Sequence, residues 1–239
     1  KVKNVQGILA LNGEVFVTAD GPEGAGLYRL SDKNRDGTLE ECQLLVKFKG
    51  EMGEHGAHAV TLGPDGLLYV VIGNLTVVEQ GYDGQSPYRN FYEGDLVPRY
   101  EDPGGHAVGV KAPGGAILRT DTEGSVVQLF AGGLRNAYDL VFDRHGDLFA
   151  HDSDMETDEG TPWFRNTQLF HVTSGGEFGW RSGWSRWPEY AVAPWSILAI
   201  GDGGFLWWIG LPAALAFAGW RSAGQPQLRT PVSAGIAAG

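Results

Sequence analysis

The chain has 239 residues, enough for one large all-β domain or two smaller ones. Its net charge of −11 offers no basic stripe for a phosphate backbone, which argues against nucleic acid as a partner. Cys42 is the single cysteine, which excludes an internal disulfide, a cysteine-rich zinc site and a covalent haem motif.

Glycine turns followed by alternating apolar strands recur along the chain. The turn glycines are Gly13, Gly66 and Gly146, and each pattern predicts a β-hairpin because glycine accepts a positive φ. The spacing from Gly13 to Gly66 suits one long propeller blade. The longer spacing from Gly66 to Gly146 suits a blade plus an insertion at 79–113. Further strands are predicted at 26–30, 116–120 and 168–172. The spacing favours a propeller over a β-sandwich.

Residues 32–41 lack an apolar period and begin like a calcium-binding loop. Oxygen-bearing side chains occupy the first, third and fifth positions, and glycine occupies the sixth. Because Gln43 stands where an EF-hand has its bidentate glutamate, the loop must be closed earlier, by Glu40 or Glu41. The ligands that we predict are Asp32, Asn34, Asp36, Thr38 and Glu41. The alternative is a solvated Asx turn that binds nothing.

Acidic and aromatic side chains cluster between residues 152 and 190. The carboxylates of Asp152, Asp154, Glu156 and Asp158 alternate and could bind one cation or sugar hydroxyls. The alternative, which we favour, is an exposed, solvated acidic loop. The aromatic residues are Trp163, Phe164, Trp180, Trp184, Trp187 and Tyr190. They could stack on sugar rings, but packing between blades is the default expectation for most of them.

The composition changes near residue 190. We therefore predict a propeller segment at 1–190 and an apolar, then low-complexity tail at 191–239 that is membrane-associated or disordered. The uncharged run at 203–219 is short for a membrane span and contains Pro212. Since the chain starts at Lys1 without a leader pattern, we expect a processed form or a fragment, and a frame-shifted or truncated tail is an alternative.

Two motifs carry a family resemblance. Residues 132–149 read GGLRNAYDLVFDRHGDLF, and residues 175–180 read GGEFGW. The pair resembles a blade of the soluble pyrroloquinoline quinone (PQQ)-dependent glucose and sorbosone dehydrogenases. The stretches 26–37, 47–74 and 161–183 are similar to a membrane-bound dehydrogenase branch common in planctomycetes and their relatives. The resemblance implies an all-β, partial six-bladed β-propeller of three to four blades, followed by a tail foreign to the family.

The resemblance also implies a function and its residues. The expected reaction is oxidation of a sugar, aldose or alcohol by hydride transfer to bound PQQ, with calcium as an associated ion. His55 has the family's offset before the glycine turn and would be the catalytic base, with His58 as a second candidate. Arg135 would be a catalytic and cofactor-binding cation, and Asn136 a neutral cofactor donor. The alternative is that these four residues only bond loop backbone.

Departures from the family pattern keep other functions open. Ala137 replaces the family's proline, and the acidic loop from Asp152 stands where the family carries a calcium-holding element. A non-catalytic propeller that binds carbohydrate or a protein partner, or an inactive truncated fragment, is the alternative. The resemblance implies a cytochrome c domain or partner as electron acceptor, and a periplasmic or otherwise extracytoplasmic location, with membrane association as a further option.

Overall fold

A computed structural model describes residues 1–50, 52–89, 110–153, 155–156 and 164–180, and all of its regular elements there are strands. In chain order they are β1 (Lys3–Leu11), β2 (Glu14–Gly21), β3 (Gly24–Ser31), β4 (Glu41–Lys49), β5 (Ala57–Leu62), β6 (Leu68–Ile72), β7 (Val77–Val78), β8 (Gly115–Thr120), β9 (Val127–Leu134), β10 (Asp139–Phe142), β11 (Leu148–Asp152), β12 (Met155–Glu156), β13 (Phe164–Arg165) and β14 (Gln168–Val172). The strands predicted at 26–30, 116–120 and 168–172 are confirmed.

The strands form three larger antiparallel sheets. The first has the order β1-β2-β3-β4-β7, the second β5-β6-β8-β9 and the third β10-β11-β14, with β12 and β13 as a separate hairpin. The first strands of the three sheets are neighbours, since β5 contacts both β1 and β10. Successive meander sheets whose first strands adjoin are the blade arrangement of a propeller. The chain is therefore all-β and a partial β-propeller, as predicted.

The predicted glycine turns connect the strands of each sheet. Asn12 and Gly13 both have positive φ, 53° and 84°, which is the two-residue type I′ turn between β1 and β2. Gly66 and Gly146 also have positive φ, in the β5–β6 and β10–β11 turns. The long second interval arises because 73–114 separates β6 from β8 in one sheet. The predicted insertion at 79–113 falls within this connection.

Two apolar cores separate the three sheets. The core between the first and second sheets includes Phe16, Leu27 and Val70, and the core between the second and third includes Val71 and Leu140. Strand β6 is buried at every position because its alternate side chains enter opposite cores. The second sheet is thus packed on both faces, and loops that leave it start from a fixed framework.

Several predictions lie outside the described residues. They are the boundary near 190, the tail at 191–239 with its uncharged run at 203–219, the acidic residues Asp154 and Asp158, and the aromatic residues Trp163, Trp184, Trp187 and Tyr190. Nor are the side chains of Glu156 and Phe164 described. Within the described ranges, no helix has the length and apolarity needed to cross a bilayer.

Candidate functional site

Four residues predicted from the sequence converge beside the first strands of the second and third sheets. His55 precedes β5, His58 is its second residue, and Arg135 and Asn136 lie between β9 and β10. All four are buried, with exposures between 2% and 5%. Asn136 joins the two segments, since its Oδ1 lies 2.8 Å from His58 Nε2 and its Nδ2 donates to the Glu54 carbonyl at 2.7 Å.

His55 is oriented by Asn74, which follows β6. The Nδ1 atom of His55 lies 2.5 Å from Asn74 Oδ1, and the Asn74 backbone N–H donates to the Arg135 carbonyl at 2.8 Å. In this amide orientation His55 donates from Nδ1, so Nε2 is the basic nitrogen of the neutral ring. The pair has the chemistry of a general base held by a polar partner.

His58 is bonded differently. Because Asn136 Nδ2 donates to Glu54, Asn136 Oδ1 must accept the proton of His58 Nε2. The ring of Tyr138 stacks on His58 with centroids 4.1 Å apart, and its hydroxyl donates to the Glu54 carbonyl at 3.2 Å. Burial lowers the pKa of His58, which favours the neutral ring. These contacts suit a packing and hydrogen-bonding role.

Asp152 holds the Arg135–Asn136 turn. Its carboxylate accepts the backbone N–H groups of Arg135 at 2.9 Å, Asn136 at 2.7 Å and Ser153 at 3.0 Å. Burial raises the pKa of Asp152, while these three bonds act in the opposite direction. The expectation of a solvated acidic loop is wrong for Asp152, because this last residue of β11 is buried and accepts three backbone N–H groups.

Close backbone approaches fix the geometry around both histidines. A Cβ atom at Gly73 would lie 2.5 Å from the His55 carbonyl oxygen and 2.6 Å from Asn136 Oδ1, so only glycine fits there. The first sheet contributes Thr18, whose hydroxyl donates to the His58 carbonyl at 2.5 Å. The site is therefore built from parts of all three sheets.

The predicted calcium loop lies between β3 and β4. Carboxylate oxygens of Asp32, Asp36 and Glu40 lie within 4.8 Å of one another. Asp32 accepts the backbone N–H groups of Asp36 and Gly37, and the hydrogen bond from the Thr38 backbone lowers the pKa of Asp36. The remaining predicted ligands are placed as follows: Asn34 Oδ1 accepts the Asp36 N–H at 2.9 Å, and Glu41 pairs with Lys33 Nζ at 2.5 Å. Glu40, rather than Glu41, faces the other two carboxylates.

The GGEFGW motif packs along β9. Gly132 donates to the Gly176 carbonyl at 3.0 Å, and the Trp180 N–H donates to the Gly133 carbonyl at 2.7 Å. The Trp180 side chain is buried against Gly114, a position where no Cβ could be accommodated. The default expectation of core packing is thus confirmed for Trp180.

Sequence reasoning missed Asn74 and Tyr138 as parts of this site. Each is a single polar or amphipathic residue directly beside a strand, and its partners come from distant positions in the chain. The one available signal for Asn74 was its place immediately after the apolar strand β6 and Gly73. A polar residue at the end of a buried strand is a reasonable candidate for a site.

No protein-family model matches the chain, and no curated protein matches it. Among solved structures, the PQQ-bound aldose sugar dehydrogenase of Streptomyces coelicolor matches with 18% identity and a TM-score of 0.45, over 71% of this chain and 44% of that chain. A predicted oxidoreductase (glucose dehydrogenase) of Thermus thermophilus matches with 22% identity and a TM-score of 0.45, over 70% and 47%.

A predicted gluconolactonase also matches, with 16% identity and a TM-score of 0.37, over 70% of this chain and 49% of that chain. The chain thus spans less than half the length of each of these three structures. The similarity to all three is distant and concerns the fold.

Proposed function

We propose that the chain is part of a quinone-dependent dehydrogenase that oxidises a sugar, an aldose or another alcohol, with His55 as the general base. The observation that carries the proposal is the hydrogen bond between His55 Nδ1 and Asn74 Oδ1, which leaves Nε2 as the basic nitrogen. In the reaction His55 would accept the proton of the substrate hydroxyl while the carbon that bears this hydroxyl loses a hydride, for which a bound quinone would be the acceptor. The product carries a new carbonyl group, and a cyclic aldose therefore gives a lactone.

The proposed binding of the quinone cofactor rests on Arg135. PQQ would supply the hydride acceptor. The fixed guanidinium of Arg135 donates from Nη1 to Ser153 Oγ at 2.9 Å, and a held cation suits the carboxylates and growing negative charge of such a group. The Asn136 side chain already bonds His58 and Glu54, so it supports the cofactor site by holding those two groups in place.

The test is reconstitution of the 239-residue chain with PQQ and Ca²⁺, followed by dye reduction with a panel of aldoses and alcohols. We expect His55→Gln to lower the rate by about 100-fold or more, because a positioned base contributes at least that much. The matched control is His145→Gln in the exposed β10–β11 turn, which should leave the rate unchanged. A wild-type chain that neither binds PQQ nor reduces the dye would refute the proposal.

Two observations favour a second candidate function, a non-catalytic propeller that binds a carbohydrate or a protein. Asn136 faces inward, and Ala137, which replaces the family's proline, is fully buried in the core between the second and third sheets. A site that binds without turnover would tolerate both features. If calorimetry detects sugar binding by a chain that shows no PQQ binding, this alternative is established. If the chain binds neither sugar nor PQQ, the result favours the inactive fragment.

A calcium ion at the β3–β4 loop belongs to the same proposal. The three carboxylates of Asp32, Asp36 and Glu40 converge, and Glu40 Oε2 is buried with no hydrogen-bond partner among the described residues. A carboxylate oxygen in that position suits a hard cation. We therefore propose that Glu40 closes the loop, and a calcium-dependent rise in the thermal midpoint tests it.

We further propose an extracytoplasmic location and a c-type cytochrome domain or partner as the electron acceptor, on the basis of the motif resemblance alone. Replacement of the dye by a soluble c-type cytochrome tests the acceptor. Substrate-dependent reduction of the haem is the expected result, and dye reduction without any haem reduction would argue for another acceptor.

A further inference from the structure

We propose that Asp152 is a positioning residue of this site, and that its buried carboxylate fixes the turn through which both histidines are held. The proposal rests on the proposed function for its catalytic meaning, but its structural content can be tested without any turnover. Asp152 bonds the backbone of Arg135, Asn136 and Ser153, so it acts on the histidines through Arg135 and Asn136.

The first step is the local bonding of the carboxylate. Asp152 is 5% exposed, and its Oδ2 accepts from Arg135 N while its Oδ1 accepts from Asn136 N and Ser153 N. Two consecutive backbone amides held by the two oxygens of one carboxylate have little freedom to rotate. The backbone of the turn between β9 and β10 is thereby fixed.

The second step follows two chains of hydrogen bonds away from this turn. Through its side chain Asn136 bonds both His58 and the Glu54 carbonyl, next to His55. Through its carbonyl Arg135 accepts the backbone N–H of Asn74, whose side chain orients His55. One carboxylate therefore stands at the start of the path to each histidine.

The third step concerns why a carboxylate is needed. The N–H groups of Arg135 and Asn136 meet different oxygens of Asp152, so in this geometry both ends of the side chain must be acceptors. In Asp152→Asn one amide NH₂ would face a backbone N–H, so the two donors would repel. The turn would open while the size and shape of the side chain stay the same.

The experiment compares Asp152→Asn with Asp143→Asn. Asp143 is a matched control because its Oδ1 also accepts two backbone N–H groups, those of His145 at 2.7 Å and Asp147 at 2.9 Å, in the exposed β10–β11 turn. Amide hydrogen exchange and NMR titration of the imidazoles are measured on the full chain. For Asp152→Asn we expect exchange of the Arg135 and Asn136 amides to be at least about tenfold faster, and the His58 pKa to move up toward its ordinary value.

Asp143→Asn should leave the Arg135 and Asn136 amides and the His58 titration unchanged. Wild-type exchange and titration in Asp152→Asn would overturn the proposal. If Asp152→Asn does not fold, hydrogen exchange in the wild-type chain is the test. The Arg135 and Asn136 amides should exchange more slowly than those of His145 and Asp147. Equal or faster exchange would overturn the proposal.

The contribution of Asp152 to PQQ binding and turnover is tested separately, by measuring the half-saturating PQQ concentration of the two variants. Asp152→Asn should raise it and lower the dye-reduction rate, whereas Asp143→Asn should change neither. If the wild-type chain binds no PQQ, the proposed function fails while hydrogen exchange still decides the positioning role. Altered exchange with unaltered PQQ binding and turnover would overturn the catalytic reading of Asp152.

Discussion

At the scale of single residues, the distinction between His55 and His58 depends on partners that are remote in the chain. His55 meets Asn74 and His58 meets Asn136, so two histidines three positions apart have different direct hydrogen-bond partners. The motif resemblance predicted His55 as the base with His58 as a second candidate, but no local pattern could reveal these partners. The pairing of β5 with β6 brings Asn74 to His55, and the connection from β9 to β10 brings Asn136 to His58.

Asn74 gives the first prediction at this scale. Asn74→Ala removes the acceptor of His55 Nδ1 and lets the ring choose the other tautomer, which would place the proton on Nε2. We expect the dye-reduction rate constant kcat to fall by at least about tenfold, as for orienting partners in catalytic triads, with little change in KM. Asn74→Asp should restore the rate, and exposed Asn166→Ala is the control. Unchanged kcat in Asn74→Ala would contradict the role.

His58 gives a prediction about pH. Its folded-state pKa lies below the ordinary value of 6.5. At a pH between these two pKa values, the unfolded chain binds the proton more readily than the folded chain. The contribution to stability is therefore complete above pH 6.5 and is lost as the pH falls toward the lowered folded-state pKa. In His58→Gln, thermal midpoints measured between pH 8 and pH 5 should decline less steeply than in the wild-type chain. An identical slope would contradict the burial effect.

At the scale of elements, what the sequence predicts well is local. The turns at Gly13, Gly66 and Gly146 were predicted because a positive φ and apolar alternation are encoded within a few residues. The role of Asp152 was not, because it depends on amides 16 and 17 positions earlier in the chain. An acidic run next to a strand looks solvated until its neighbouring turn is known.

The loop after β6 tests how tightly these elements meet. Gly73→Ala would push a methyl group against the His55 carbonyl and the Asn136 side chain. We expect a loss of about 1–3 kcal/mol in the free energy of unfolding, typical of overpacking, measured by denaturant titration. Gly84→Ala is the matched control, because nothing lies within 4 Å of its Cβ position. Equal stability of the two variants would show that the contact yields easily.

The β3–β4 loop tests the calcium proposal. Ca²⁺ should raise the thermal midpoint of the wild-type chain relative to a chelator, since an ion that binds only the folded state stabilises it. Glu40→Gln should abolish that rise, whereas Glu41→Gln should retain it, because Glu41 pairs with Lys33 instead. A calcium response lost in Glu41→Gln and kept in Glu40→Gln would reverse the assignment.

At the scale of the whole molecule, the site forms only when three sheets pack together. The first sheet supplies Thr18, the second the two histidines, and the third supplies Asp152 at the end of β11. The outer face of the third sheet leaves Leu169 71% and Val141 59% exposed. An exposed apolar face of this kind suits packing against another surface.

The most direct test of the central claim is a single turnover without oxygen. The 239-residue chain is loaded with PQQ and Ca²⁺ and mixed with an aldose, and the absorbance of the bound quinone is followed. We predict that the quinone becomes reduced and that His55→Gln binds it equally well but reduces it about 100-fold more slowly or worse. Bound quinone that no sugar or alcohol reduces, or equal rates in the two proteins, would contradict the assignment of His55 as the base.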